Sequence, residues 1–281
     1  SIHNLVHQYT LCDTPEKRSE LILTLGKCES FSFDTETTDI DANKAELVGL
    51  SFSINPHEGW YIPLPDNYDQ ARAILHEFKP LFENTRIGKT GQNIKYDLMM
   101  LKWYETDLAG PLFDTMIAHY LIEPDMRHNM DLLAEVYLNY KTIKIDELIG
   151  SKKSEQISMR MVDVETVKDY AAEDADITLQ LRHALEPKLK ENQLTKLFEE
   201  VEMPLIPVLA GMETEGIAID LETLRPAFNE RIQMVLQEAT LQLPDSKWKL
   251  NGGRLGRHTE HFGHLLAEMQ YMQRAYPNME W

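Results

Sequence analysis

Phe31-Ser32-Phe33-Asp34-Thr35-Glu36-Thr37 is the stretch on which the reading of this chain turns. An apolar alternation ends there in two carboxylates, Asp34 and Glu36, spaced i, i+2. Successive strand residues point to opposite faces, so both acids project from one side of a sheet. One strand thus offers two oxygen ligands to one point.

Working outward, Leu5 to Leu11 reads as extended, and Asp13-Thr14-Pro15-Glu16 opens a helix through about Leu25. Downstream, Leu47 to Ile54 and Gly59 to Leu64 read as strands joined by a turn at Asn55-Pro56, which makes an antiparallel meander with the first strand. The helical period predicts helices over Asp69 to Phe82, Asn93 to Trp103, Phe113 to Leu121, Met130 to Leu138 and Val164 to Lys190, with weak strand character at Arg86-Ile87-Gly88. Lys152 to Ile157 reads as a charged turn. A helical stretch starting at Glu202-Met203-Pro204-Leu205 is broken at Glu215-Gly216, before a short Ile217-Ala218-Ile219 strand. A meander followed by alternating helices and short strands is an α/β arrangement around a mixed sheet.

The chain has 281 residues, 43% of them hydrophobic, and a formal charge of -18. That charge argues against a protein that holds nucleic acid through a broad basic face. It leaves room for a nuclease, because a carboxylate site recruits divalent cations that then present positive charge to phosphate. No run of about 18 apolar residues could span a bilayer and no leader-like segment opens the chain, so a cytoplasmic protein is expected. Cys12 and Cys28 have no metal-like spacing and read as free thiols.

Two further acids have suitable surroundings. Asp97 ends Gly91-Gln92-Asn93-Ile94-Lys95-Tyr96-Asp97, a turn entering a helix, where an acid is also favoured by the helix dipole alone. Tyr170 and Asp174, at i, i+4, share one helix face. Glu173, Asp176 and Asp39 read as solvated acids or as neighbours of the ligands, since Asp176 falls on the helix face opposite Asp174.

Taken as a set, these residues resemble the proofreading 3'-5' exonuclease domain of bacterial DNA polymerase I, within the DEDD exonucleases. Asp34-Thr35-Glu36 looks like its first motif, Gly91 to Asp97 its second and Tyr170-x-x-x-Asp174 its third, of the tyrosine variety. The resemblance spans about residues 5 to 235 and takes in Phe113-Asp114-Thr115-Met116 and Arg127-His128-Asn129-Met130-Asp131. It implies an α/β, ribonuclease H-like exonuclease fold, a mixed sheet flanked by helices; a helical C-terminal segment is expected to follow it.

The same resemblance implies that Asp34, Glu36, Asp97 and Asp174 hold two divalent cations, Mg2+ or Mn2+, and that Tyr170 acts with Glu36 to orient the attacking water. Hard oxygen donors fit those ions better than zinc. Ile40, Gln92, Asn93, Arg127, His128 and Ile145 are implied to touch the 3' end of a single strand. Amides and Arg suit phosphate, and apolar wedges part bases without reading sequence; taken singly, Ile40 and Ile145 also read as core residues.

Three segments follow: 1-192 as the exonuclease domain, 193-237 as the truncated start of a polymerase thumb, and 238-281 as a helical tail of different origin. Glu202 to Leu209 is similar to the entry of the polymerase domain, but the palm is missing, so templated synthesis is not expected. Residues from Glu238 onward, including His258-Thr259-Glu260-His261, resemble the C-terminus of the structural subunit of phenylacetyl-CoA epoxidase. On that predicted helix His258, His261 and His264 form a stripe, but Phe262, Leu265, Leu266 and Met269 form the clearer signal, an apolar face suited to a protein partner. The expected activity is exonucleolytic release of 5'-mononucleotides from single-stranded or frayed DNA 3' ends. The alternatives are a ribonuclease D-like enzyme acting on RNA and a non-catalytic binding or scaffold module.

Overall fold

The computed structural model describes residues 6-151 and 156-216. The expected strand at Ile217 to Ile219, the tail helix with its histidines and most of the charged turn from Lys152 lie outside the described residues.

Phe31 and Phe33 alternate with Ser32 and Asp34 along β2 (Ser30–Thr37), and this alternation divides the molecule into layers. The phenylalanine face packs edge-on against Phe52 of β3 (Leu47–Ser53) and Phe82 of α2 (Tyr68–Phe82), so α2 and its neighbour α1 (Pro15–Leu25) cover one side. All of these rings are fully buried. The opposite face meets α7 (Val164–Glu191), where Ser32 Oγ donates to the Ala175 carbonyl at 2.6 Å.

Small residues make that approach possible. Ala171, Ala172 and Ala175 of α7 are fully buried, and a Cβ added at Gly59 in β4 (Glu58–Pro63) would lie 2.9 Å from the Ala172 carbonyl oxygen. At 28 residues α7 runs about 42 Å. It crosses the sheet and carries Tyr170 and Asp174 to the Asp34 side.

The sheet has six strands in the order β1-β4-β3-β2-β5-β6, with β1 at Gln8–Leu11, β5 at Gly88–Gly91 and β6 at Leu112–Asp114. β2, β3 and β4 form the expected antiparallel meander, while β1 pairs with β4, β5 with β2 and β6 with β5 in parallel. The ladder is therefore mixed. Around it stand α3 (Ile94–Trp103), α4 (Thr115–Ile122), α5 (Met130–Leu138) and the short α6 (Ile145–Ile149).

Two expectations need correction. Strand character expected at Arg86-Ile87-Gly88 begins two residues later, on Gly88-Lys89-Thr90-Gly91, because buried Lys89 satisfies its ammonium on the carbonyls of Asn84 and Ala109 and so occupies a central strand despite its charge. The helix expected from Phe113 begins at Thr115 instead, since Leu112-Phe113-Asp114 is an edge strand too short to show a period. Asp114 then serves two helices at once. Its carboxylate accepts from Met116 and Ile117 at the start of α4 and from Asn93 and Ile94 at the start of α3.

The described chain ends with α8 (Thr195–Leu197), a π turn over Phe198–Glu202 and α9 (Met203–Glu215). Residues as far as Gly216 form one compact unit. Phe198 packs on Phe113 with ring centroids 4.9 Å apart, Ile206 and Ala210 enter the core, and Glu213 pairs with Lys95 of α3.

Candidate active site

β2 delivers Asp34 and Glu36 to the face covered by α7. At Glu36 the strand stands opposite Gly49, and the pairing slips by one residue between Glu36 and Thr37, a bulge that ends the regular ladder at the acid. Any Cβ at Gly49 would fall 2.3 Å from the ring of Tyr61, so the absent side chain leaves that phenol its place beside Glu36. Val48, Tyr61, Met159, Val167 and Ala171 form a small apolar cluster there, against which Tyr170 packs.

Asp34, Glu36 and Asp174 each bring a carboxylate oxygen within 4.8 Å of the others, as a metal site requires. Asp97 comes to the end of β2 from α3. Its Oδ1 accepts from the Thr35 amide at 3.1 Å and from the Thr35 hydroxyl at 2.6 Å, which fixes the carboxylate and leaves Oδ2 available. It lies outside the group of three, though its charge acts on Glu36 and it feels Asp34.

Glu36, Asp97 and Asp174 are buried and Asp34 keeps a partly exposed edge. Among the described residues none of the four pairs with a lysine or arginine, and Glu36 Oε1 is sealed from solvent without a hydrogen-bond partner. Burial accordingly pushes the Asp34 carboxyl up to about 7. Burial first, and then neighbouring carboxylates, raise Glu36, Asp97 and Asp174 well above the ordinary carboxylate range.

Concentrated negative charge with an orphaned oxygen is costly unless cations enter. The donor set therefore fits hard divalent ions. Tyr170 faces this cluster, its hydroxyl interacting with Asp174, and burial followed by the charges of Asp174, Glu36 and Asp34 drives its ionisation well above the ordinary phenol value. It remains a protonated donor.

The other acids of α7 have a different office. Glu173 accepts from the Tyr140 hydroxyl and the Ile143 amide, both at 2.6 Å, and Asp176 accepts from the Tyr9 hydroxyl, the His57 amide and Gln180. Both are buried, which removes the solvated alternative of their reading. Asp39 is exposed, as expected. Sequence reasoning gave no role to Thr35 and Asp114, which lie inside quoted segments, or to Gly49 and Tyr61, which lie on the meander strands and carry no local signal.

Residues expected to touch a strand divide into two groups. Gln92 and His128 are joined, the Gln92 amide donating to the His128 carbonyl at 2.7 Å, and Asn93 is held in the left-handed region at φ 62° where its amide meets Asp114. Arg127 beside them is exposed. Ile40 and Ile145 lie on other segments and are 94% and 45% exposed, so neither is a core residue. Ile40 follows a loop fastened to α3, where Tyr96 hydrogen-bonds Thr37 and the Asp39 carbonyl.

Comparison with known proteins identifies the family and the fold. A family model described as 3'-5' exonuclease matches residues 9–190. DNA polymerase I of Pseudomonas aeruginosa is 39% identical over 211 residues, covering 71% of this chain and 23% of that one. DNA polymerase I of Borreliella burgdorferi is 39% identical over 222 residues, covering 78% and 24%. The chain thus spans about a quarter of the length of these relatives.

Among solved structures, Brucella melitensis NrnC superposes with a TM-score of 0.59 at 20% identity, over 75% of this chain and 94% of its own. The catalytic core of RRP6 from Trypanosoma brucei gives 0.56 at 20% identity, over 72% and 53%. These likenesses establish the ribonuclease H-like exonuclease fold. NrnC has been solved bound to pGG and with bound Mg2+.

A second model, described as phenylacetic acid catabolic protein, matches residues 181–281 and overlaps the first within α7. One of the subunits of 1,2-phenylacetyl-CoA epoxidase from Escherichia coli is 46% identical over 71 residues, 25% of this chain and 29% of that one. The resemblance of the tail to that system therefore holds. Among the described residues no helix is long and apolar enough to cross a membrane.

Proposed function

The chain belongs to the 3'-5' exonuclease family, and from that premise we propose that it hydrolyses the terminal phosphodiester at single-stranded or frayed DNA 3' ends. Water attacks the phosphorus, the bond to the 3' oxygen breaks, and a 5'-mononucleotide leaves a strand shortened by one. The observation that carries this reading is the unneutralised convergence of Asp34, Glu36 and Asp174, with Glu36 Oε1 bare.

Asp34, Glu36, Asp97 and Asp174 would hold two divalent cations, Mg2+ or Mn2+. When bound, these supply Lewis-acid charge that acidifies water and steadies the leaving oxygen. The rest is done by the chain itself. Thr35 locks the Asp97 carboxylate through two hydrogen bonds, so its free oxygen keeps one direction. Tyr170 stays protonated and donates, which suits it to orient water together with Glu36 and unsuits it as a base. Gln92, Asn93, Arg127 and His128 gather where phosphates would be held, while exposed Ile40 and Ile145 could insert between bases without reading sequence.

The polymerase relatives favour DNA; the alternative is a ribonuclease D-like action on RNA 3' ends, for which the same acids would serve and tolerance of the 2'-hydroxyl would decide. Matched 5'-labelled DNA and RNA strands with Mg2+ separate the two. Shortening of DNA from its 3' end is expected; faster loss of the RNA overturns the substrate assignment, and two intact strands beside an active control overturn the exonuclease reading. Calorimetric titration with Mn2+ tests the scaffold alternative, which a folded chain that takes up no ion would favour.

A further inference from the structure

His119 stands on α4 with its ring wholly buried, and its Nδ1 lies 2.7 Å from Nδ1 of half-buried His128. Two imidazole nitrogens at that distance share one proton, so one ring donates and the other accepts. Either arrangement has one ring protonated at Nδ1 and the other at Nε2. Intrinsic tautomer preferences therefore cancel, and the surroundings decide.

Those surroundings differ sharply. His119 Nε2 is sealed from solvent and has no hydrogen-bond partner, while His128 Nε2 makes no hydrogen bond to any described residue and belongs to a ring that reaches solvent. Were His128 the donor, His119 would carry an orphaned N–H in the core, the kind of buried group that native structures rarely leave unpaired. With His119 as donor, the proton on His128 moves to Nε2 and points away from the pair. Burial and the neighbouring His128 hold His119 below its ordinary value, against a smaller opposing effect of Glu123, so this ring stays neutral.

The pair is also braced. Tyr137 of α5 meets the His119 ring edge-on at 5.5 Å and 81°, and half-exposed Tyr120 meets His128 at 5.5 Å and 87°. The His128 carbonyl accepts from Gln92, whose own amide oxygen accepts from the Thr115 hydroxyl, and Gln92 lies in the turn that delivers Asp97. The ring thus has a fixed backbone, a fixed plane and a fixed tautomer. We infer that His119 is a positioning residue that sets His128 as an Nε2–H donor to a phosphate oxygen of the bound strand.

This inference rests on the exonuclease reading for its ligand but not for the state of the pair, which can be observed without nucleic acid or metal. In the full chain labelled with 15N, long-range proton–nitrogen correlations of the rings should show His119 protonated at Nδ1 and His128 at Nε2. The reverse assignment, or Nε2–H on both rings, overturns the inference. His119→Phe keeps a ring against Tyr137 but has no donor, and should weaken binding of a fluorescent single strand about fivefold, the scale of one hydrogen bond. In cleavage it should raise KM with kcat within about twofold, the pattern of a lost binding contact. His119→Asn, whose amide can replace the Nδ1 donor, should recover most of the loss. Equal weakening by both variants, or a fall in kcat at constant KM, overturns it. Failure of the unaltered chain to cleave DNA or RNA with Mg2+ counts against the exonuclease reading alone; the ring spectrum and strand binding still decide the pair.

Discussion

Glu173 and Asp174 are consecutive on α7 and both buried, yet their surroundings are opposite. Glu173 has a phenol and a backbone amide aimed at it, and Asp176, two residues beyond Asp174, has three donors. Among the described residues Asp174 has only Tyr170 as a donor, and it faces two more acids. A buried carboxylate with neutral donors ties segments together. A buried carboxylate surrounded by its own kind is kept there for something positively charged. The difference identifies the site more surely than the burial of either acid.

The largest expected effect that breaks the comparison is on the unsatisfied side. Asp34→Ala should reduce single-turnover cleavage by about 10³-fold or more, on the scale of losing one preorganised electrostatic contact to the transition state. In metal-free buffer its melting temperature should hold or rise, because one of the mutually repelling acids is gone. Near-parent cleavage at an unchanged melting temperature would show that the cluster has no catalytic part.

Next in size is a dependence on pH that the site acids impose on stability. Asp34 folds with its carboxyl raised from 3.8 to about 7, so between those values the native state binds more protons than the unfolded chain. Stability contributed by the protonated form is present below about 4 and is lost as pH rises toward 7. In chelator the melting temperature should therefore fall over that window, and Mn2+ should reverse the trend near neutrality because its ligands must be deprotonated. Identical curves with and without Mn2+ would contradict a metal-hungry cluster.

On the satisfied side, Glu173→Leu should cost about 2–3 kcal/mol in chemical denaturation, since the Tyr140 hydroxyl and Ile143 amide lose their acceptor. Metal uptake should persist. Loss of Mn2+ binding in a variant that remains folded would move Glu173 into the site and erase the distinction.

How far the sequence foretold this contrast depends on what kind of signal each residue leaves. Strand alternation puts Asp34 and Glu36 on one face and helical spacing does the same for Tyr170 and Asp174, but it is the resemblance of the whole set to the exonuclease family that marked them, with Asp97, as site residues. The meander, α2, α3 and α7 were legible from apolar period. β6 was not, being three residues at an edge, and β5 was misplaced by the lysine at its centre. The separate fates of Glu173 and Asp176 were hidden because their donors, Tyr140, Ile143, Tyr9 and His57, come from remote segments that no local pattern connects to α7. The same holds for Asp114, whose pairing with the start of α3 spans about twenty residues of chain.

Tyr170→Phe sharpens the comparison with the smallest change, a single oxygen on the boundary between the two kinds of acid. The ring packs on the Val48, Tyr61 and Met159 cluster, and phenylalanine keeps that packing, so the melting temperature in chelator should stay within a few degrees. What disappears is the hydroxyl that donates to Asp174. Since the phenol is held far from ionisation, it acts as a donor that orients water rather than as a base, and its removal should lower kcat by about 10²-fold, the lower end of the range for positioned proton-handling groups. KM should change little, because the hydroxyl faces the acids rather than the residues expected to hold the strand. The dependence on Mn2+ concentration should also stay close to that of the parent, as all four carboxylates remain. If instead kcat is untouched and the affinity for Mn2+ drops, Tyr170 belongs with Tyr140 and Tyr9 as a partner that steadies a carboxylate, and the boundary between satisfied and unsatisfied acids on α7 runs on the other side of it.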